Sequence, residues 1–257
     1  MLEYHQVSKS FATQDGAELL ALNNLTFNVA EGEFVAVVGP SGCGKSTLLN
    51  MTAGLYQPTE GKVLLSGVPV LKPNSSVGFM LQKDLLLPWR SVEANVAFGL
   101  EARGVSKSQR LKTANQRLEE CHLANFSDYY PHQLSGGMRQ RAALARTLAI
   151  EPEVILLDEP FSALDAQTRI VIQRNFAETI QQEGITTLLI THDLGEAVYM
   201  ADRILVLSER PAVIASEINV DLPDRGNPTA RRQNPDAIPI INHLFELLKL
   251  KDATEIA

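Results

Sequence analysis

The sequence predicts an α/β fold, and three observations carry that prediction. Val154-Ile155-Leu156-Leu157 is a continuous apolar run, the pattern of a strand covered on both faces of a parallel sheet. Further short strands at 186–190 and 203–207 alternate with helix-like segments. Near the N-terminus, Phe34-Val35-Ala36-Val37-Val38 runs into a glycine-rich turn and then into a helix-like segment, 48–53, that stops at Gly54.

Taken in order, residues 2–8 and 22–29 read as strands, the second because Leu25-Thr26-Phe27-Asn28-Val29 alternates apolar and polar side chains. Ala30-Glu31-Gly32 turns the chain into the strand 33–38. Short strands follow at 61–67, between two glycines, and at 77–81, ending at Gln82. The first 80 residues are thus β-rich. From about 91 to 150 the texture is helical: 92–101 behind Ser91 as N-cap, 107–122 after the break at Gly104, and a helix from Ser135 to about Ile150 with Leu144 and Leu148 on one face. A helix over 166–183 closes at Gly184, and another spans 194–201. From 208 the prolines 211, 223, 228, 235 and 239 predict a loopier chain, with a last amphipathic helix over 238–250.

The turn Gly39-Pro40-Ser41-Gly42-Cys43-Gly44-Lys45-Ser46-Thr47 has the form G-x-x-x-x-G-K-[ST], in the strand and helix context that this form requires. Its glycines let the backbone approach a ligand closely, and the helix N-terminus behind them favours an anion. Lys45 is placed to reach the β- and γ-phosphates of a nucleotide, and the Ser46 hydroxyl to ligate Mg²⁺. Cys43 reads as a small residue within the loop, although a helix terminus tends to lower a thiol pKa. Asp158 and Glu159 follow a buried strand, at the edge where open α/β sheets bind ligands. Asp158 suits a Mg²⁺ ligand. Strand alternation would point Glu159 the other way, free to orient or deprotonate an attacking water. Ser135-Gly136-Gly137 exposes backbone N–H groups at a helix start, a second candidate anion site beside the plainer reading of a capped turn. Leu85-Leu86-Leu87-Pro88-Trp89-Arg90 carries the only Trp and reads either as core packing or as an exposed anchor for a partner.

A net charge of −7 argues against a general nucleic-acid footprint. Two cysteines, Cys43 and Cys121, in no metal or redox spacing suit a reducing compartment. No signal peptide and no membrane-length apolar run is evident, so action at a membrane would require a partner to hold the chain there.

Together these elements resemble an ATP-binding cassette (ABC) ATPase, over roughly residues 2–210 and with the motifs in that family's order. Gly39 to Ser46 matches Walker A, Gln82 the Q-loop, Leu134 to Gln140 the signature loop (with Met138 where many members have Gln), and Val154 to Glu159 Walker B with its catalytic glutamate. Ser162 to Asp165 matches the D-loop and His192 the switch histidine. Phe11 lies in the context where the family stacks an aromatic on adenine, with an insertion near Gln14-Asp15-Gly16 and Tyr4 as a second candidate. The resemblance implies a P-loop NTPase core of RecA type, an antiparallel N-terminal β region and a helical subdomain at about 84–150. A C-terminal extension would cover 211–257. It implies ATP and Mg²⁺, with Ser46, Gln82 and Asp158 toward the metal and Lys45, Gln82, Glu159 and His192 in hydrolysis. It also implies a homodimer in which Ser135, Gly136 and Gly137 reach the ATP of the other copy, a membrane permease docking near 83–90, and indirectly a solute-binding protein. The expected location is the cytoplasmic face of the plasma membrane. Leu87-Pro88-Trp89-Arg90-Ser91-Val92 and Leu207-Ser208-Glu209-Arg210-Pro211 resemble the importer branch for nitrate, sulfonates and taurine, or bicarbonate. The rival readings are a soluble ABC ATPase acting on DNA or ribosomes, another P-loop enzyme such as a kinase or GTPase, and a cassette for export or for another solute class.

Overall fold

The computed structural model describes residues 1–13 and 16–249. Part of the expected insertion, at 14 and 15, and the last residue of the expected C-terminal helix, Leu250, lie outside the described residues.

Two sheets form the body. β1 (Leu2–Ala12) and β2 (Glu18–Val29) pair antiparallel and run longer than their expected spans. Register shifts along β1 and left-handed φ values at Gln6 and Asn24 mark bulges, which break the alternation a sequence reader follows. β3 (Phe34–Val38) leads through the glycine turn into α1 (Lys45–Thr52). β4 (Glu60–Leu65) and β5 (Val68–Pro69) complete a four-stranded antiparallel sheet of order β2-β1-β4-β5.

β6 (Val77–Met80) enters the second sheet, and the helical region follows. The expected helix 92–101 is two short helices, α2 (Val92–Val96) and α3 (Phe98–Ala102), meeting at Ala97, whose ψ of −10° is too flat for a continuous α-helix. α4 (Lys107–Glu120) and α5 (Gly136–Ala149) complete this region, and Ser135 caps α5 by accepting from Met138 N at 3.3 Å. Next come β7 (Val154–Asp158), α6 (Ala166–Glu183), β8 (Thr186–Ile190), α7 (Leu194–Met200) and β9 (Arg203–Leu207). α6 opens on Asp165, which accepts from Thr168 N, and closes on left-handed Gly184.

The chain beyond 208 is more regular than its prolines suggest. β10 (Ile214–Asn219) pairs antiparallel with β9, and α8 (Pro228–Gln233) starts behind the Asn227 cap with Pro228 in the first turn. α9 (Ala237–Lys249) is the expected last helix. The second sheet therefore has the order β10-β9-β3-β8-β7-β6, with β10 antiparallel at its edge and the other five strands parallel.

Its strands β3, β7, β8 and β9 are buried on both faces. Along β3, Phe34, Ala36 and Val38 join the core beneath the helices, while Val35 and Val37 join the core shared with α1 and the antiparallel sheet. Such double burial explains why β3 and β7 read as unbroken apolar runs. No helix among the described residues is long and apolar enough to cross a membrane.

Candidate active site

The five parallel strands all end on one edge of the sheet, and the loops leaving them converge on one region. β3 leads into the loop 39–44, and β6 ends two residues before Gln82. β7 ends at Asp158, β8 two residues before His192, and β9 three residues before Arg210. This is the carboxyl edge, where open α/β sheets bind ligands. Ser41, Gly42, Gly44, Lys45, Ser46, Thr47, Gln82, Asp158, Glu159, Ile190 and Arg210 line a cleft there of about 380 Å³. A cavity of similar size, about 400 Å³, lies near the opposite ends of β7 and β8, but Glu31, Glu151, Glu153 and Glu183 line it and would repel a phosphate.

The phosphate loop has the shape its sequence requires. Gly44 has φ of 122°, and a Cβ there would lie 2.7 Å from Leu22 Cδ2. No side chain caps α1, so the N–H groups of its first turn remain for a ligand at the cleft. Lys45 Nζ donates to the carbonyls of Gly39 at 2.7 Å and Pro40 at 2.8 Å, which folds the side chain back over the loop. The loop's far side, with Pro40 and Cys43, faces a second pocket beside Glu209 and Arg210. Arg210 donates to the Gly42 carbonyl and so ties this loop to the end of β9. In the sequence Arg210 stands within the Leu207–Pro211 stretch that carries the resemblance, with no task of its own to read. Cys43 is buried, as suits a small residue within the loop, and burial pushes its thiol up, outweighing the pull of Lys45 and the helix terminus.

Asp158 is buried, and burial raises its carboxyl above the ordinary range even though the Ser46 hydroxyl donates to it and pulls the other way. Hydroxyl, carboxylate and amide oxygens are hard donors that suit Mg²⁺, which is commonly held by one or two carboxylates together with substrate phosphates. The Gln82 amide nitrogen is committed to Glu159, so its oxygen is the atom that would reach a cation. Among the described residues no cluster of three or more His, Cys, Asp or Glu could hold a metal by itself. The donor set thus fits Mg²⁺ arriving with a nucleotide.

Glu159 is turned by a device different from the strand alternation expected of it. β7 ends at Asp158, and Glu159 takes a left-handed φ of 51°, a conformation that costs about 1–2 kcal/mol for an L-residue with a side chain. Its N–H donates to the Ile190 carbonyl at 2.9 Å. Its carboxylate accepts from Gln82 Nε2 at 3.0 Å and lies 3.3 Å from His192 Nδ1. Three residues separated by 110 positions of sequence thus meet at one carboxylate.

Other candidates stand apart. Ser135, Gly136 and Gly137 begin α5 and do not line the cleft. Phe11 lies on β1, edge-on to Tyr56 at 5.8 Å between centroids, with Lys9 Nζ 5.2 Å from its ring, and is also outside the cleft lining. Tyr4 is removed as an adenine platform: it is 1% exposed, stacked on Phe27 at 4.0 Å and hydrogen-bonded to Thr52.

Between the two readings of the connector, the structure selects exposure, because Trp89 is 71% exposed. Buried Asn95 shapes the loop, accepting from Leu87 N at 2.7 Å and donating to the carbonyls of Leu87, Arg90 and Ser91. Sequence reasoning missed Asn95. It also missed Arg139 and Arg146, which hold Asp84 and the carbonyls of Asp84 and Leu85 from α5.

A family model described as "ABC transporter" matches residues 22–162. The chain is 40% identical to the nitrate import ATP-binding protein NrtD of a Synechocystis species, over 99% of this chain and 97% of that protein. It is 45% identical to a taurine import ATP-binding protein, TauB, of Yersinia pestis, over 80% of each chain. An uncharacterised ABC transporter ATP-binding protein of Methanocaldococcus jannaschii is 49% identical over 81% of this chain and 78% of its own. Among solved structures, the dimeric post-hydrolysis state of the ATP-binding cassette MJ0796 bound to ADP and Pi superposes with a TM-score of 0.79 at 32% identity, covering 86% of this chain and all of that one. With the phosphate loop, Asp158, Glu159 and His192 gathered on one sheet edge and these likenesses beside them, the chain belongs to the ABC transporter family of ATP-binding proteins.

Proposed function

We propose that this ATPase powers import of a small solute, working as a homodimer on a membrane permease. The observation that carries the reading is the split of the motifs. Lys45, Ser46, Gln82, Asp158 and Glu159 line one cleft, while Ser135, Gly136 and Gly137 do not. Two copies related head to tail would each supply the missing half, giving two composite ATP sites. The dimeric cassette that this chain resembles supports that arrangement.

In this reading the loop 39–47 and the α1 N-terminus hold the β- and γ-phosphates, with Phe11 toward adenine. Lys45 leaves the Gly39 and Pro40 carbonyls for the phosphate oxygens. Ser46, Asp158 and Gln82 would hold Mg²⁺, which supplies charge neutralisation on the phosphates when bound. Ser135, Gly136 and Gly137 of the partner subunit close over the γ-phosphate. His192 stabilises the charge that develops there, and Glu159, placed between Gln82 and His192, takes the proton of the attacking water. Gln82 passes γ-phosphate occupancy to the connector 83–90, where exposed Leu85 and Trp89 dock a cytoplasmic helix of the permease. A solute-binding protein would engage the permease from the other side. The cassette occupies 1–210 with the helical subdomain near 84–150, and 211–257 is a C-terminal extension. The chain sits at the cytoplasmic face of the membrane through the permease. The likenesses to nitrate and taurine import proteins favour a small anion, of the nitrate, sulfonate or bicarbonate kind, as the solute.

ATP turnover of Glu159→Gln tests this. Loss of at least a hundredfold in kcat is expected, with ATP binding kept and ATP-driven dimerisation enhanced; near-normal turnover overturns the role of Glu159. Ser135→Arg in the same background should abolish the dimer.

A further inference from the structure

Gln140 is almost wholly buried, at 4% exposure, one turn into α5 from the Ser135–Gly137 loop. A buried amide needs partners for both its ends. It finds all of them on the segment after β7. Its Nε2 donates to the backbone carbonyl of Glu159 at 3.1 Å and toward Ser162 Oγ at 3.4 Å, and its Oε1 accepts from Ala163 N at 3.0 Å. Ser162 Oγ also donates to the Glu159 carbonyl, at 2.9 Å. The left-handed backbone of Glu159 is therefore held from both sides: its N–H by Ile190, its carbonyl by Gln140 and Ser162. Gly137 adds a second contact between the same segments. A Cβ there would lie 3.1 Å from Leu164 Cδ2 and 3.4 Å from the Ala163 carbonyl.

We infer that Gln140 is a positioning residue for hydrolysis. It fixes the strained backbone at Glu159 and ties that geometry to the loop 135–137, so the loop's contact with a nucleotide is felt at this chain's own carboxylate. The inference rests on the proposed role of Glu159. Gln140 reaches no cleft-lining atom with its own side chain except through the Glu159 backbone, so it acts on turnover without touching substrate.

The test is ATP hydrolysis by Gln140→Met, which keeps length and bulk while removing both hydrogen-bonding ends, with Gln140→Asn as the second variant. The expected result is a kcat lowered tenfold or more, a KM for ATP within threefold of the unsubstituted chain, and an unchanged nucleotide affinity by equilibrium binding. Added to Glu159→Gln, Gln140→Met should lower the residual rate by less than twofold, because the two act through one group. A merely structural role would weaken ATP binding and would add its loss in the double variant, and either result overturns the inference. So does a kcat within twofold of normal in whichever variant folds, judged by thermal unfolding. If Glu159→Gln itself turns over normally, the reading of Glu159 fails instead, and the two failures are distinct.

Discussion

Replacing Asn95 with Leu should loosen the Trp89 loop while sparing the nucleotide cleft. Asn95 is fully buried and makes four side-chain hydrogen bonds to the loop, one accepted and three donated. Leucine keeps roughly the volume and makes none of them. Two of the carbonyls would keep another donor, since Ser91 O accepts from Asn95 N at 2.9 Å and Leu87 O from Arg90 N at 3.1 Å. The groups stranded are Leu87 N–H and Arg90 C=O. An orphaned buried group costs about 1–3 kcal/mol, and the exposed outer side of this loop admits water, so the expected loss is about 2–3 kcal/mol. For a chain of this size each kcal/mol shifts Tm by about 2–4 °C, giving a fall of about 4–12 °C. Trp89 is the only tryptophan, so its fluorescence anisotropy reports the loop directly. The anisotropy should drop, while ATPase activity of the isolated chain stays within about twofold. A Tm within 1–2 °C of normal together with unchanged anisotropy would show that Asn95 does not organise the loop.

Two further outcomes are expected from the site and its surroundings. Gly44→Ala sets a methyl group against Leu22 at a φ that L-residues avoid, so ATP affinity should fall at least tenfold with circular dichroism unchanged; normal affinity would mean that the loop relaxes freely. Glu196, on α7, is buried beside Gln173, Thr191, Asp193 and Arg169, and burial pushes its carboxyl up to about 7 from an ordinary 4.5. Between those values the folded chain keeps a proton that the unfolded chain has released. The stability linked to that proton is full below about pH 4.5 and is lost as pH rises through about 7, with an upper limit of roughly 3 kcal/mol. Glu196→Gln should therefore gain on the original chain in urea unfolding from pH 5 to pH 8, and parallel curves would refute the burial argument.

Most of the parallel sheet was legible because double burial writes unbroken apolar runs, and the phosphate loop was legible because its glycines are demanded by backbone geometry. The elements that escaped reading depend on partners distant in sequence. Ile214–Asn219 alternates exposed and half-buried positions, yet it becomes a strand only by pairing with β9, and the flanking prolines hid it. The N-terminal strands were underestimated because bulges at Gln6 and Asn24 interrupt their period. Asn227 followed by Pro228 was a readable helix start that the proline count obscured. At the site, Lys45, Ser46, Asp158 and Glu159 follow a recognisable spacing, whereas Arg210 and Gln140, though inside stretches that carry the resemblance, have no readable task until the fold gives them a neighbour.

The residues whose roles went unread share a physical task. Loops at the carboxyl edge of a sheet have left the strand ladder, so their backbone groups must be satisfied by side chains. Arg210 supplies the phosphate loop, Asn95 the connector, and Gln140 the segment after Glu159. α5 does this twice over, since Arg139 and Arg146 on the same helix hold Asp84 and the Asp84 and Leu85 carbonyls. One rigid helix thus grips both the connector that faces outward and the backbone of the carboxylate that faces the cleft. A force applied at the Ser135–Gly137 end of α5 is shared between those two attachments. The helix that begins behind Ser135 thus joins the backbone of Glu159 to the connector that carries the exposed Trp89, beside the direct link that Gln82 makes along the chain.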